Sequence, residues 1–208
     1  MGRKITALIA QKRNPERVSV HLEGEFAFGL TRLVAAWLQV GQELSDEKIA
    51  SLQAEDALEM AYQQALKYLN YRVRTEREVR QNLAQHKISD EIITQVIARL
   101  RQSGLVDDQR FAQAWVENRS EFHPRSRRAL AVELQRKGLA EETVQHALDE
   151  IDDTELAYQA ASKYARRLEE LGWPDFRQKM YAFLARRGFG YAVSAEAAQR
   201  VWAGLHPE

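Results

Sequence analysis

The chain has 208 residues, with 30 Lys and Arg against 30 Asp and Glu, a formal net charge of zero, and no cysteine. No disulfide framework or thiolate chemistry is open to it, and a balanced charge removes the simplest argument for nucleic-acid binding, although a zero sum can hide opposed patches. The start, Met1-Gly2-Arg3-Lys4-Ile5, reaches Gln11, Lys12, Arg13 and Asn14 before any long apolar run develops, so neither a signal peptide nor a membrane span is expected, and the protein is placed in the cytoplasm.

The first fifty residues follow a strand period. Ile5, Ala7 and Ile9 alternate, as do Val18, Val20 and Leu22, and then Phe26, Phe28 and Leu30 beyond Glu23-Gly24-Glu25, where the glycine permits a hairpin turn. A small antiparallel sheet of three strands is predicted. Thr31 reads as the N-cap of a helix carrying Leu33, Val34, Trp37 and Leu38 and stopped by Gly41, and Ser45 starts a further short helix with Asp46 and Glu47 in its first turn.

Beyond this point the period is helical. Asp56 with Glu59, and Thr75 with Glu78, have capping-box spacing. Gly104-Leu105, Gly138-Leu139, Gly172-Trp173 and Gly188-Phe189 each pair a glycine with a following apolar residue, the signature of a Schellman stop. These signals predict helices over 57–73, 75–87, 89–102, 108–121, 126–137, 140–152, 154–171, 175–187 and 191–204.

One helical unit is written three times. Leu83, Leu134 and Leu184 lie 51 and then 50 positions apart, each with a basic residue at plus three (His86, Lys137, Arg187) and an apolar one at plus five (Ile88, Leu139, Phe189). Val79, Leu130 and Met180 hold the same place four before each leucine. A period near 50 with helical spacing predicts a mainly α protein: a tandem array of three three-helix repeats, helix-turn-helix-like, behind a small N-terminal β-rich extension. The expected divisions are 1–55 for the extension and 56–107, 108–153 and 154–208 for the repeats.

Charge is segregated within the second repeat. Arg119, Arg125, Arg127, Arg128, Arg136 and Lys137 crowd together with Glu121 and Glu133 among them, and an acid-rich run from Glu141 to Glu155 follows. Charge runs are often no more than solvated helix faces; the functional alternative is a basic groove for an acidic partner or a phosphate backbone.

The stretch Ala65-Leu-Lys-Tyr-Leu-Asn-Tyr71-Arg72-Val73-Arg74-Thr75-Glu-Arg-Glu-Val79 resembles the opening of the RecX family of regulatory proteins. Leu100 to Arg119, LRQSGLVDDQRFAQAWVENR, is similar to that family's most specific segment, and Glu133-Leu134-Gln-Arg136-Lys137-Gly138-Leu139 to its companion motif. The resemblance runs from about residue 56 to the C-terminus, with a looser likeness in the N-terminal strands. It implies a non-catalytic modulator, mainly an inhibitor, of the RecA recombinase, lying along the groove of the RecA filament on single-stranded DNA and restraining ATP hydrolysis, strand exchange and coprotease activity in DNA repair and the SOS response. Separately, the chain is expected to be a monomer. Two departures stand out: Lys87 where the later repeats have Gly138 and Gly188, and His123-Pro124-Arg125-Ser126 where the family commonly has a glycine-containing loop.

Within these motifs Phe111, Ala112, Trp115, Leu134 and Gly138 read first as packing residues, and Asp107 or Asp108 as a helix N-cap, not as metal ligands. Candidate partner-binding residues are Arg72, Arg74, Arg119, Arg125, Arg127, Arg128, Arg136, Lys137, Arg186 and Arg187, because guanidinium groups suit bidentate contact with phosphate or carboxylate. No catalytic residue, cofactor site or metal site is expected: the chain has no phosphate-cradling glycine loop, nucleophile elbow or paired histidines on a helix face. Two alternatives stand beside the RecA modulator, a helical protein contacting single- or double-stranded DNA directly and a helical scaffold with no nucleic-acid role. No membrane partner is expected.

Overall fold

The computed structural model describes residues 2–206. By its contacts the chain divides into two compact units, Met1–Val73 with Val79–Val106, and Arg74–Glu78 with Asp107–Glu208.

The first unit opens with β1 (Arg3–Gln11), β2 (Asn14–Leu22) and β3 (Glu25–Thr31), then a four-residue helix α1 (Arg32–Ala35) and the two-residue strand β4 (Glu43–Leu44). The sheet is antiparallel in the order β3-β2-β1-β4. Glu23 (φ 52°) and Gly24 (φ 88°) turn the second hairpin, a pair of left-handed residues whose twist matches the flanking strands. Alternation alone puts Ile5, Ala7 and Ile9 on one face and Phe26 with Phe28 and Leu30 on another. Two register shifts correct this. A bulge between Ile5 and Ala7 moves Leu8 opposite Val20 on the core side, and another beside Val20 and His21 separates Phe26 from Phe28. Each bulge reverses the faces beyond it, which leaves Ile9 52 % and Phe26 60 % exposed.

The expected helix through Leu38 is cut short at Ala35. Thr31 has extended N-cap dihedrals, but its hydroxyl caps nothing and is buried without a partner among the described residues. Trp37 lies outside the helix and is 89 % exposed. The helix expected to be short at Ser45 is instead the longest in the chain, α2 (Asp46–Leu69), whose start is fixed by the Ser45 hydroxyl accepting from the Lys48 N–H at 3.2 Å. No proline or glycine interrupts it. Asp56 and Glu59 are therefore not a capping box; they lie mid-helix and buried. Asp56 accepts from the Arg17 guanidinium at 2.9 Å and from the Thr31 backbone N–H, while Glu59 accepts from Arg99 and from Gln63, both at 2.8 Å. The same helix serves two cores: Ile49 and Leu52 pack with the sheet residues Ile5, Leu22, Leu30 and Leu44, and Ala61, Tyr62 and Ala65 pack with Leu83, Ile97 and Leu100 from α3 (Glu76–Gln85) and α4 (Asp90–Gln102).

The second unit holds two further three-helix repeats, α5 (Asp108–Phe122), α6 (Arg127–Arg136) and α7 (Glu141–Leu148), then α8 (Asp153–Ala165), α9 (Trp173–Arg186) and α10 (Tyr191–Leu205). Each has its own core. Phe111, Ala112, Leu130, Leu134 and Leu148 form one, and Phe176, Met180, Leu184 and Ala198 the other, with Ile151 touching both.

The repeated leucine marks the same helix stop in each copy. The N–H groups of Ile88, Leu139 and Phe189 reach back to the carbonyls of Leu83, Leu134 and Leu184 at 3.3, 3.3 and 3.2 Å, the six-to-one bond of a Schellman motif. Gly138 and Gly188 occupy the left-handed position at φ 87° and 90°, and Lys87 occupies it at φ 60° without the benefit of glycine. Leu105 closes on Leu100 in the same way after Gly104. Gly172 is the exception to the predicted stops. It is extended (φ −68°, ψ 159°) and N-caps α9, and Pro174 sits in the first turn, where its missing N–H costs nothing. Helix α8 accordingly ends at Ala165 rather than near 171, and Arg167, Leu168 and Leu171 continue in tight turns.

Candidate functional site

The two starts predicted for the second repeat are built as capping chemistry dictates. Asp107 N-caps α5 by accepting from the Arg110 N–H at 3.0 Å, and Ser126 N-caps α6 by accepting from the Ala129 N–H at 3.2 Å. In the Arg74–Glu78 segment, Thr75 and Glu78 form a complete capping box, each side chain accepting from the other's backbone N–H at 3.3 Å.

These starts are also where helices dock, through a contact that occurs twice in the second unit. The Thr75 hydroxyl donates to the Lys137 carbonyl at 3.0 Å, and the Ser126 N–H donates to the Arg187 carbonyl at 3.1 Å. The N–H one residue further on, of Glu76 or of Arg127, donates to a carboxylate that opens a following repeat: Asp108 at 2.9 Å or Asp153 at 2.6 Å. A helix N-terminus thus meets a helix C-terminus and a carboxylate, the favourable sense for both dipoles. The clearance is small: a Cβ on Gly188 would lie 2.9 Å from the Ala129 Cβ, and one on Gly138 would lie 2.0 Å from the Arg77 Cδ. The glycine of the repeated motif is required by the neighbour as well as by its own φ.

Around this contact the predicted basic residues separate into three groups. The first is a network centred on Glu133, half-buried on α6. Its carboxylate accepts from the Trp115 indole N–H at 2.9 Å and pairs with Arg119 and Arg125, both at 3.0 Å. Arg119 also lies over the Trp115 ring at 4.4 Å. Lys137 faces the ring at 5.3 Å and pairs with Glu78 at 3.0 Å. Trp115 is therefore half-buried rather than a core residue like Phe111 and Ala112, stacked on Phe111 at 5.8 Å.

The second group is engaged by the acid-rich run: Arg127 pairs with Asp149 at 3.7 Å while its N–H holds Asp153. That run has other internal duties, since Glu155 pairs with Arg200 at 3.5 Å. Glu141 accepts from Gln145 and Gln135, which hold its carboxyl below the usual range. The third group, Arg128 and Arg136 on α6 and Arg186 on α9, is exposed and makes no ion pair among the described residues. Arg72 belongs to the first unit and is exposed, its guanidinium donating to the Val73 carbonyl at 3.0 Å; Arg74 belongs to the second unit and is half-buried.

Arg119, Arg125, Arg186 and Arg187 line one open cleft of about 420 Å³ with His123 and Phe183. Arg187 donates to the Pro124 carbonyl at 3.0 Å and lies over the Phe183 ring at 4.5 Å, and Phe183 stacks on Tyr164 at 4.0 Å. Burial, and then the Arg125 charge nearby, pull the Arg187 guanidinium below its ordinary value. Phe183, His123 and Tyr164 were not among the residues predicted from sequence. Four-residue spacings, Phe183 to Arg187 and Trp115 to Arg119, are the available signal, since on a helix such pairs share a face.

Four family models match the chain in order: the RecX N-terminal domain at residues 3–45 and the first, second and third RecX three-helix domains at 61–100, 107–148 and 150–203. The chain is 32% identical over 209 residues to the regulatory protein RecX of Bacillus pumilus, covering 98% of this chain and 80% of that one. To the RecX of Bacillus subtilis it is 30% identical, covering 95% and 76%. A crystal structure of regulatory protein RecX superposes with a TM-score of 0.74 at 27% identity, over 95% of this chain and 99% of that one. That of RecX from Lactobacillus salivarius superposes at 0.62 and 25% identity, over 71% and 97%. Among the described residues no helix is long and apolar enough to cross a membrane. With three three-helix repeats behind an N-terminal antiparallel sheet, this chain belongs to the RecX family of regulatory proteins.

Proposed function

We propose that the protein is a cytoplasmic, monomeric and non-catalytic regulator that binds the RecA filament on single-stranded DNA and restrains its ATP hydrolysis, strand exchange and coprotease activity. Membership of a regulatory family across all four domains carries this reading. It is supported by the basic residues of the second unit, of which Arg128, Arg136 and Arg186 project outward with no intramolecular ion pair among the described residues. Guanidinium groups not used by the fold are the ones able to meet carboxylates or phosphates of a partner. Tandem repeats suit a filament, because several weak contacts on linked modules add through effective concentration.

The test is addition of the purified protein to RecA assembled on single-stranded DNA, following ATP hydrolysis and filament length together. Both should fall in proportion to the protein added. No change in either at concentrations well above RecA rejects the reading. Charge reversal of Arg128, Arg136 and Arg186 together to glutamate should leave circular dichroism unchanged and abolish the effect, since like charges facing one another across an interface cost several kcal/mol. Direct attachment to DNA is the second reading, and it predicts binding without RecA that weakens steeply with salt as counterions are released.

A further inference from the structure

The cleft between Arg119 and Arg187 holds four guanidinium groups and an imidazole, and none of its lining residues is acidic. Two of the four, Arg119 and Arg125, share the single Glu133 carboxylate, so one charge balances two. Arg186 and Arg187 have no ion-pair partner among the described residues. The Arg125 Nε is buried and meets no acceptor among them either, and a buried donor left unpaired is costly. Arg187 is held in place by the Phe183 ring and the Pro124 carbonyl rather than by an anion. Burial first, and the neighbouring Arg125 charge second, lower the Arg187 guanidinium from its ordinary value. A protein does not gain stability by gathering like charges without counter-ions; such a cluster gains its purpose when an anion enters.

Phe183 and Arg187 also line a second hollow of about 180 Å³, together with Lys163 and Arg167. A single carboxylate would neutralise one charge of this track. Linked phosphate groups place a negative charge every few ångströms and offer each guanidinium a fork of two oxygens.

We propose that this arginine cleft of the second unit is a binding site for linked phosphate groups, from either a free polyphosphate chain or the backbone of a nucleic-acid strand. The site deepens the regulatory reading above by naming the chemistry that part of its basic surface recognises, and it rests on that reading only for its biological use. Binding itself needs no recombinase. Phe183 serves here to hold Arg187 rather than to stack a base, because Tyr164 and Arg187 already pack on its ring.

The full chain is titrated, without RecA, with inorganic tripolyphosphate, with a single-stranded oligodeoxynucleotide and with a hexaglutamate peptide. Tripolyphosphate should bind, and Arg186→Gln should weaken it about tenfold, the loss expected for one charge-assisted contact. Arg186 is exposed and makes no hydrogen bond or ion pair among the described residues, so the variant should melt as the parent does. A second variant, Arg167→Gln, should weaken a longer polyphosphate more than tripolyphosphate. Displacement of a bound oligonucleotide by tripolyphosphate assigns the source to a nucleic-acid backbone. Binding of tripolyphosphate but not of the oligonucleotide assigns it to a free polyphosphate. No tripolyphosphate binding, equal binding in Arg186→Gln, or hexaglutamate binding as tightly each overturns the site. The same variants in the RecA assay separate the two claims: loss of phosphate binding with the filament effect intact overturns the cleft alone, and a chain that binds phosphate but never affects the filament supports the cleft while rejecting the regulator.

Discussion

At the residue scale, the basic segment of the second repeat shows how little of a charge run is free for a partner. Glu133 is the residue on which this turns: it pairs two arginines and an indole in a half-buried place. Replacing Glu133 by alanine strands Arg119 and Arg125 beside one another and leaves the Trp115 N–H unmade. The expected loss is about 2–3 kcal/mol, since hydrogen bonds to charged groups carry about 1.5–3, and the measurement is urea unfolding followed by Trp fluorescence. Trp115→Ala should cost about 3 kcal/mol, the lower end of the range for large aromatic deletions, because the ring is only half-buried. A different residue offers a gain. Lys87 holds the left-handed stop that glycine holds in the later repeats, and a side chain in that conformation costs about 1 kcal/mol. Lys87→Gly should therefore raise stability by a few tenths to about 1 kcal/mol, whereas Gly188→Ala should lower it by more than that cost, because its new methyl meets Ala129. A melting temperature that falls in Lys87→Gly would contradict this account.

At the scale of elements, α2 is the unexpected one. Its sequence contains an acidic pair at capping spacing, and the pair was legible as a helix start; what makes Asp56 and Glu59 interior residues is that Arg17 and Arg99 arrive from elsewhere in the fold to neutralise them. Buried carboxylates without such partners would break the helix or the packing. The prediction is that Asp56→Ala, which frees Arg17 and the Thr31 N–H, destabilises the first unit by about 3 kcal/mol, in the range for breaking a buried pair. Native-state hydrogen exchange should show the loss in β2 and β3 and in α2. Deletion of residues 1–44 should likewise expose Ile49 and Leu52, which pack on the sheet, and leave a helix frayed at its N-terminal turns. A truncated chain whose α2 amides remain as protected as in the parent would show the sheet to be mere decoration. The bulges in β1 and β3 account for the other misreading, because a period of two cannot reveal where one residue is skipped.

On the scale of the molecule, repeat proteins derive their cooperativity from nearest-neighbour interfaces. Here the interface chemistry is explicit in the second unit: an N-cap residue, a C-terminal carbonyl beside a left-handed glycine, and a carboxylate on the first free helical N–H. Removing the carboxylate from one such contact, Asp153→Ala, leaves the Arg127 N–H and the helix dipole without their acceptor. The expected cost is about 1–2 kcal/mol, with faster exchange in α6 and α8 together. Exchange that quickens in α8 alone would mean that the contact caps one helix without coupling two.

The sequence determined the repeat, its period, the helix stops at Gly104, Gly138 and Gly188 and the Thr75 capping box, because these depend on residues a few positions apart and on the left-handed freedom of glycine. It also determined the family, through short continuous motifs that run across a helix end into the turn or the helix beyond it. What only the tertiary structure decided is which charges are used up. Arg119, Arg125 and Glu133 are neighbours in the chain as well as in space, yet no spacing rule separates them from Arg128 and Arg136, which point outward. Arg186 and Arg187 join the first two across a gap of some sixty residues. Pairing of this kind is set by how helices dock, and docking is fixed by the summed packing of whole faces rather than by any local run of charge.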